Sequence, residues 1–230
     1  MDALGSSRRN TPDSATPLGR SWRVSLDQCY LRICAAMSGH LRRSTLRKLV
    51  VTENITLDGV IDQAEGWFRP VDDAEDPEMV AALGQQSARS DALVVGRETF
   101  EQMRGFWPQQ RGDTTGVTAH LNSVSKYVFS RTLTDPQWEG TSILTGDVAD
   151  EVAKLKSMPG EDIVVTGSIT LVQELVTLDL PDEYRLFVYP VVVGGGRRLF
   201  EADDRLRPLE LLEARSFKSG VVLLRYAPTR

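Results

Sequence analysis

The chain has 230 residues, 41% of them hydrophobic and 26% charged, enough for one globular domain with a real core. Its formal net charge of −5 argues against a nucleic-acid partner, and no run of about 18 apolar residues exists to span a membrane. Two cysteines (Cys29 and Cys34) and two histidines (His40 and His120) are too few and too isolated for a zinc site or a Ser/His triad. No metal is expected, and the cysteines read as free thiols of a cytoplasmic protein.

Residues 1–46 differ from the rest. They hold seven Arg against three Asp and no Lys or Glu, a charge of +4 that leaves −9 for residues 47–230. The opening is rich in Ser, Thr, Pro, Gly and Arg without an apolar period, so residues 1–46 are expected to be a disordered or extraneous extension. The absence of an apolar h-region argues against a secretory signal. An organelle transit peptide and a translation start at Met37 remain open as other readings. Residues 47–230 form the domain.

Arg47–Asn54 reads as a first strand. Asp76–Arg89 reads as a helix, with Asp76 as N-cap and Pro77 at the first helical position. Ala92–Val95 is a short buried strand that runs into Gly96. Lys126–Phe129 and Ser142–Leu144 are further strands, and a helix follows over Val148–Met158. Asp162–Thr166 is a strand that leads into a helix ending near Thr177. Tyr184–Val193 and Val221–Tyr226 are β-rich with no helical pattern between them. Strands alternating with helices imply parallel βαβ units, and the β-rich end implies an antiparallel edge.

Ligands of open α/β sheets bind beyond the carboxyl ends of the strands. Four such ends here offer glycine, hydroxyl or guanidinium groups. They are Gly96, Arg97 and Thr99 after the 92–95 strand, and Ser130-Arg131-Thr132 after the 126–129 strand. Next come Gly167, Ser168 and Ile169 after the 162–166 strand, and Gly194-Gly195-Gly196-Arg197-Arg198 after Val193. Glycine permits close backbone approach, free helix N–H groups favour anions, and Arg matches phosphate geometry. Each alone also reads as a turn or a solvated charge. Four together in an acidic protein point to an extended anion with several phosphates, such as a dinucleotide. No G-x-G-x-x-G follows the first strand and no G-x-x-x-x-G-K-[ST] occurs, which excludes a standard Rossmann domain and a P-loop kinase. Near the first strand, Asn54, Asp58 and Trp67 border the same region. Asp58 reads either as a turn cap or as a group that orients substrate or delivers a proton. Trp67 reads either as a core or lid residue or as a face that packs on a heteroaromatic ring.

The segments TLDGVI, ALVVGRETF, VFSRTL and VVTGSITLVQELVTLDLPDEYRLFVYPVVVGGGRRLF, in this order, resemble the C-terminal reductase domain of bifunctional riboflavin-biosynthesis deaminase-reductases. They resemble more closely the stand-alone bacterial proteins called the dihydrofolate reductase family. The resemblance spans roughly residues 47–228. It implies a dihydrofolate-reductase-like α/β fold: a mostly parallel central sheet flanked by helices, with an antiparallel C-terminal edge. It implies NADPH as hydride donor. Gly96, Arg97 and Thr99 would contact the cofactor phosphates, Ser130 and Arg131 the 2′-phosphate, and Gly167, Ser168 and Ile169 the pyrophosphate. Residues from Asn54 to Gly59 would border nicotinamide and substrate; Trp67 and Gly195 are further candidate substrate contacts from the residue reading above. It also implies a homodimer joined through edge strands. The chain departs from the pattern in two ways. Thr166 stands where the family often carries Gly or an acidic residue, and the H-x-E and P-C-x-x-C motifs of the deaminase half are absent. The acid that holds the pterin in dihydrofolate reductase lies on its first helix, whereas Asp58, Asp62 and Glu65 lie in a loop here.

The expected function is hydride transfer from NADPH to a C=O or C=N of a small heterocyclic or ribityl-pyrimidine-like substrate. Two alternatives stay open: a nucleotide-binding module without turnover on the same fold, and an unrelated α/β enzyme that binds a phosphorylated sugar.

Overall fold

The computed structural model describes residues 47–63, 66–68, 75–113, 115–201 and 205–229. The expected extension over 1–46, with Cys29, Cys34, Met37 and His40, lies outside the described residues, as does Glu65.

Six strands run parallel: β1 (Leu49–Thr56), β2 (Ser90–Gly96), β3 (Ser125–Phe129), β4 (Thr141–Leu144), β5 (Asp162–Val165) and β6 (Glu183–Tyr189). Two more close one edge: β8 (Val222–Pro228) pairs antiparallel with β6, and β7 (Leu209–Ser216) pairs antiparallel with β8. The order across the sheet is β4-β3-β2-β5-β1-β6-β8-β7. Among the described residues five helices accompany it: α1 (Pro77–Ser87), α2 (Arg97–Phe106), α3 (Val117–Ser123), α4 (Val148–Ser157) and α5 (Ile169–Thr177). The expected dihydrofolate-reductase-like arrangement, parallel with an antiparallel C-terminal edge, is therefore the one observed.

β1 lies between β5 and β6, so its Leu49, Val50 and Val51 are all fully buried, which is why the run is apolar rather than alternating. On one face Leu49, Val51, Ile163 and Val165 pack under Val152 and Leu155 of α4 and Val172 and Leu175 of α5. On the other face Leu93, Val95 and Val128 meet Phe100 of α2 and Leu121 of α3. Further along it, Phe187 and Leu223 meet Met79 and Ala82 of α1. Each such side chain contributes about 1.5–3 kcal/mol by leaving water. The caps follow their chemistry. Asp76 Oδ1 accepts from the Met79 amide at 3.1 Å with Pro77 opening α1, and Asp147 accepts from the Ala149 amide at 2.9 Å to open α4.

Four expectations are corrected. The strand expected over Tyr184–Val193 stops at Tyr189, because Pro190 has no N–H to continue the ladder. β1 begins and ends two residues later than expected. β7 was not expected: LELLEARS mixes charges with exposed leucines, as an edge strand does. α3 has only seven residues and starts from Gly116 at φ 79°, and its Thr118 amide donates to Asp113 at 2.7 Å rather than to a cap at the N-cap position itself.

Candidate nucleotide-binding cleft

β1, β2 and β5 are neighbours, and their carboxyl ends open together onto a cleft of about 840 Å³. Two helix starts form its wall. α2 begins after Gly96 and α5 after Ser168, and neither start has a side-chain cap, so the first-turn N–H groups of both helices remain for a ligand.

The two turns are braced against each other. The Gly96 amide donates to the Ser168 hydroxyl at 2.8 Å, and the Ser168 amide donates to the Thr99 hydroxyl at 2.9 Å. Gly167 sits at φ 58°, and a Cβ there would meet Thr99 Cγ2 at 3.0 Å. Only glycine suits that conformation and that approach. The tertiary structure thus brings Gly96, Arg97, Thr99, Gly167, Ser168 and Ile169 to one cleft, and Asn54 lines it as well. Arg97 is half exposed and pairs with Glu101 at 2.9 Å, four residues along α2. Two convergent, uncapped helix starts with a glycine between them suit a pyrophosphate, so these residues fit a dinucleotide.

Ser130 and Arg131 lie elsewhere. They line a separate hollow of about 400 Å³ beyond the ends of β3 and β4, beside Gly146 and Asp147. The Ser130 hydroxyl accepts from the amides of Thr132 at 3.2 Å and Leu133 at 2.9 Å, so it closes its own turn. Arg131 is exposed and has no ion pair among the described residues.

Asp58 is not part of the cleft wall. Its carboxylate accepts from the Thr56 hydroxyl at 2.6 Å and from the amides of Gly194 at 2.8 Å and Val193 at 3.3 Å. These bonds, Thr56 first and Gly194 next, hold it down at about 2. A carboxyl held that low is ionised near neutral pH and serves at this position as a hydrogen-bond acceptor. Asp58 thereby ties the TLDGVI turn to the glycine-rich turn. That turn returns against residues 60–62, with the Ile61 amide donating to the Arg197 carbonyl at 3.0 Å. Gly195 is exposed at its tip, outside the cleft lining, while Arg197 reaches the cleft and pairs with Asp62 at 3.1 Å.

Trp67 also stands away from the cleft lining. Its ring meets Phe68 and Tyr189 edge-on, and its Nε1 donates to the Asp62 carbonyl at 2.7 Å. Of its two readings the packed one describes this position, because the indole is engaged at its ring and at its N–H.

Reasoning from sequence passed over Glu53. It lines the cleft, is 4% exposed, and its Oε1 has no hydrogen-bond partner among the described residues. Burial pushes its carboxyl well above the usual carboxylate range, opposed only by a hydrogen bond from the Gly167 amide. Its signal was available: it is the one charged residue in the strand LVVTENIT. Trp107, from the short 3₁₀ turn Trp107–Gln109 after α2, also lines the cleft unforeseen.

Among the described residues no helix is long and apolar enough to cross a membrane, and no cluster of His, Cys, Asp and Glu is arranged to hold a metal ion.

Known proteins share this arrangement. The uncharacterized protein YyaP of Bacillus subtilis (strain 168) is 32% identical over 186 residues, which cover 78% of this chain and 94% of the relative. A protein from Shewanella sp. PV-4 named for riboflavin biosynthesis superposes with a TM-score of 0.61 at 23% identity, covering 80% of this chain and 99% of that one. A dihydrofolate reductase from Enterococcus faecalis has the same fold, with a TM-score of 0.55 at 17% identity over 80% of this chain and 97% of its own. The model of the RibD C-terminal domain matches residues 47–223, and the chain belongs to that family.

Proposed function

We propose that this chain is an NADPH-dependent reductase, acting in the cytoplasm on a small heterocyclic or ribityl-pyrimidine-like substrate. One observation carries the reading: two uncapped helix starts, α2 and α5, meet over Gly167 at the carboxyl ends of β2 and β5. Such a site binds a pyrophosphate through oriented N–H groups, and the helix dipoles add to the attraction. Gly96, Thr99, Gly167, Ser168 and Ile169 would hold the pyrophosphate, with Arg97 beside it. Ser130 and Arg131 would take the 2′-phosphate in the neighbouring hollow. When bound, NADPH supplies the hydride. The chain's own part is to orient the substrate against Asn54 and to exclude water. Two names support the reading: the Enterococcus faecalis dihydrofolate reductase is described as complexed with NADP(H), and the Shewanella protein is named for riboflavin biosynthesis.

The proposal includes a homodimer. β7 is an edge strand that exposes Leu211 and Leu212, and pairing with a second copy would cover them. Light scattering on the purified protein tests this, and a monomer at all concentrations overturns it.

The function is tested by titrating the protein with NADPH and following nicotinamide fluorescence, then by offering pterins, flavins and ribityl-pyrimidines. Binding followed by oxidation supports the reductase. Binding without oxidation of NADPH across the panel favours the nucleotide-binding module. No binding eliminates both.

A further inference from the structure

We infer that Glu53 is the proton donor of this cleft, the carboxyl that protonates a C=N or C=O substrate as the adjoining carbon is reduced. The inference rests on the reductase reading above.

The geometry comes first. Glu53 sits on the face of β1 that carries Leu49, Val51 and Ile55, so its carboxyl lies among apolar groups at the floor of the cleft. Val51 pairs with Val165 across β1 and β5, which places Glu53 level with Gly167, whose amide bonds the carboxyl. That leaves Oε1 without a partner and with almost no surface of its own, on a residue that lines the cleft. An ionised carboxylate with one bond there would be costly, whereas a protonated carboxyl keeps an O–H to give. The first turn of α5 brings no charge. The other charged groups lining the cleft are Arg97 and Glu98 of α2 and the Asp62–Arg197 pair. None of them forms an ion pair with Glu53 among the described residues.

The step balances. Glu53 gives its proton to the nitrogen or oxygen of the substrate double bond while the carbon receives a hydride from the dihydronicotinamide. The π electrons form the new N–H or O–H bond, and the dihydronicotinamide is left oxidised. Glu53 is left as a carboxylate that solvent reprotonates. The substrate class is thus a compound with an imine or carbonyl, not an unpolarised alkene.

The test needs no known substrate. A donor close enough to serve the reduced carbon also lies near the nicotinamide, whose oxidised ring is cationic and favours an ionised Glu53. Binding of NADP⁺ should then release a proton, and binding of NADPH should not. Affinities for both nucleotides are measured from about pH 6 to about pH 9. NADP⁺ is expected to bind up to about tenfold tighter per pH unit, with NADPH nearly flat. Glu53→Gln keeps the shape and the Gly167 bond, so it should retain NADPH affinity and thermal stability while losing the NADP⁺ slope. A wild type that binds both nucleotides without the split overturns this inference alone, and so does a split retained in E53Q. Failure of both nucleotides to bind wild-type protein overturns the reductase reading, and this inference with it.

Discussion

The Gly96 amide donates to the Ser168 hydroxyl across 2.8 Å, a bond between two turns 72 residues apart that sets the spacing of two helix starts. Ser168→Ala leaves the Gly96 N–H without that acceptor and should cost about 1–2 kcal/mol of stability. NADPH affinity should fall with it, because the helix starts lose their register. Chemical denaturation and fluorescence titration on the same preparation check both, and a variant with unchanged affinity would separate the brace from the binding site.

Gly167→Ala adds a Cβ at 3.0 Å from Thr99 Cγ2 and forces alanine to φ 58°. The backbone strain alone is about 1–2 kcal/mol. Adding Thr99→Ser removes Cγ2 while keeping the hydroxyl that accepts from Ser168. The double variant should recover the steric part of the loss and not the backbone part. Melting temperatures of the four proteins in the cycle decide it.

Arg131 stands exposed in its own hollow. Arg131→Ala should therefore leave the fold intact and weaken NADPH by roughly tenfold or more, the worth of a charge-assisted bond to phosphate. NADH should be nearly unaffected. Equal losses for the two nucleotides would remove Arg131 from the 2′-phosphate.

Glu183 has 0% side-chain exposure and accepts from Arg185 at 2.7 Å and Arg225 at 2.8 Å. Burial alone would raise its carboxyl, but these bonds and charges, Arg185 ahead of Arg225, bring it down to about 2. The folded state thus binds this proton more weakly than the unfolded chain, whose carboxyl is ordinary at 4.5. The resulting stability, about 3 kcal/mol, is complete above pH 4.5 and is lost as the pH falls toward 2. Urea unfolding across that range should show the loss. Glu183→Gln should flatten it, at the expense of stability at neutral pH, since it leaves the buried Arg185 with Asp162 as its remaining anion.

Asp58 makes the opposite point about catalysis. With its carboxyl at about 2, Asp58→Asn should leave NADPH affinity unchanged at pH 7 but lower the melting temperature, because the carboxylate accepts from both Val193 and Gly194. A large loss of NADPH affinity with an unchanged melting temperature would return Asp58 to the cleft.

Most of the architecture was legible in the residues alone, because local chemistry carries it. Asp76 followed by Pro77 opens α1, and the short apolar runs ALVV and DIVV, each leading into a glycine turn, form buried strands. Glycines and hydroxyls at strand ends announced the turns that hold Gly96 and Gly167. What local pattern cannot carry is which ends meet. β5 inserts between β2 and β1, and that order alone joins Gly96 to Ser168 while leaving Ser130 and Arg131 in another hollow. Burial is equally a property of neighbours. The carboxyls of Glu53 and Asp58 lie five residues apart in one segment. Apolar packing raises the first, and three hydrogen bonds, two of them from a turn some 135 residues away, hold the second down. Chain sequence names both as acids, and only the sheet and the glycine-rich turn decide which one is pushed up and which is held down.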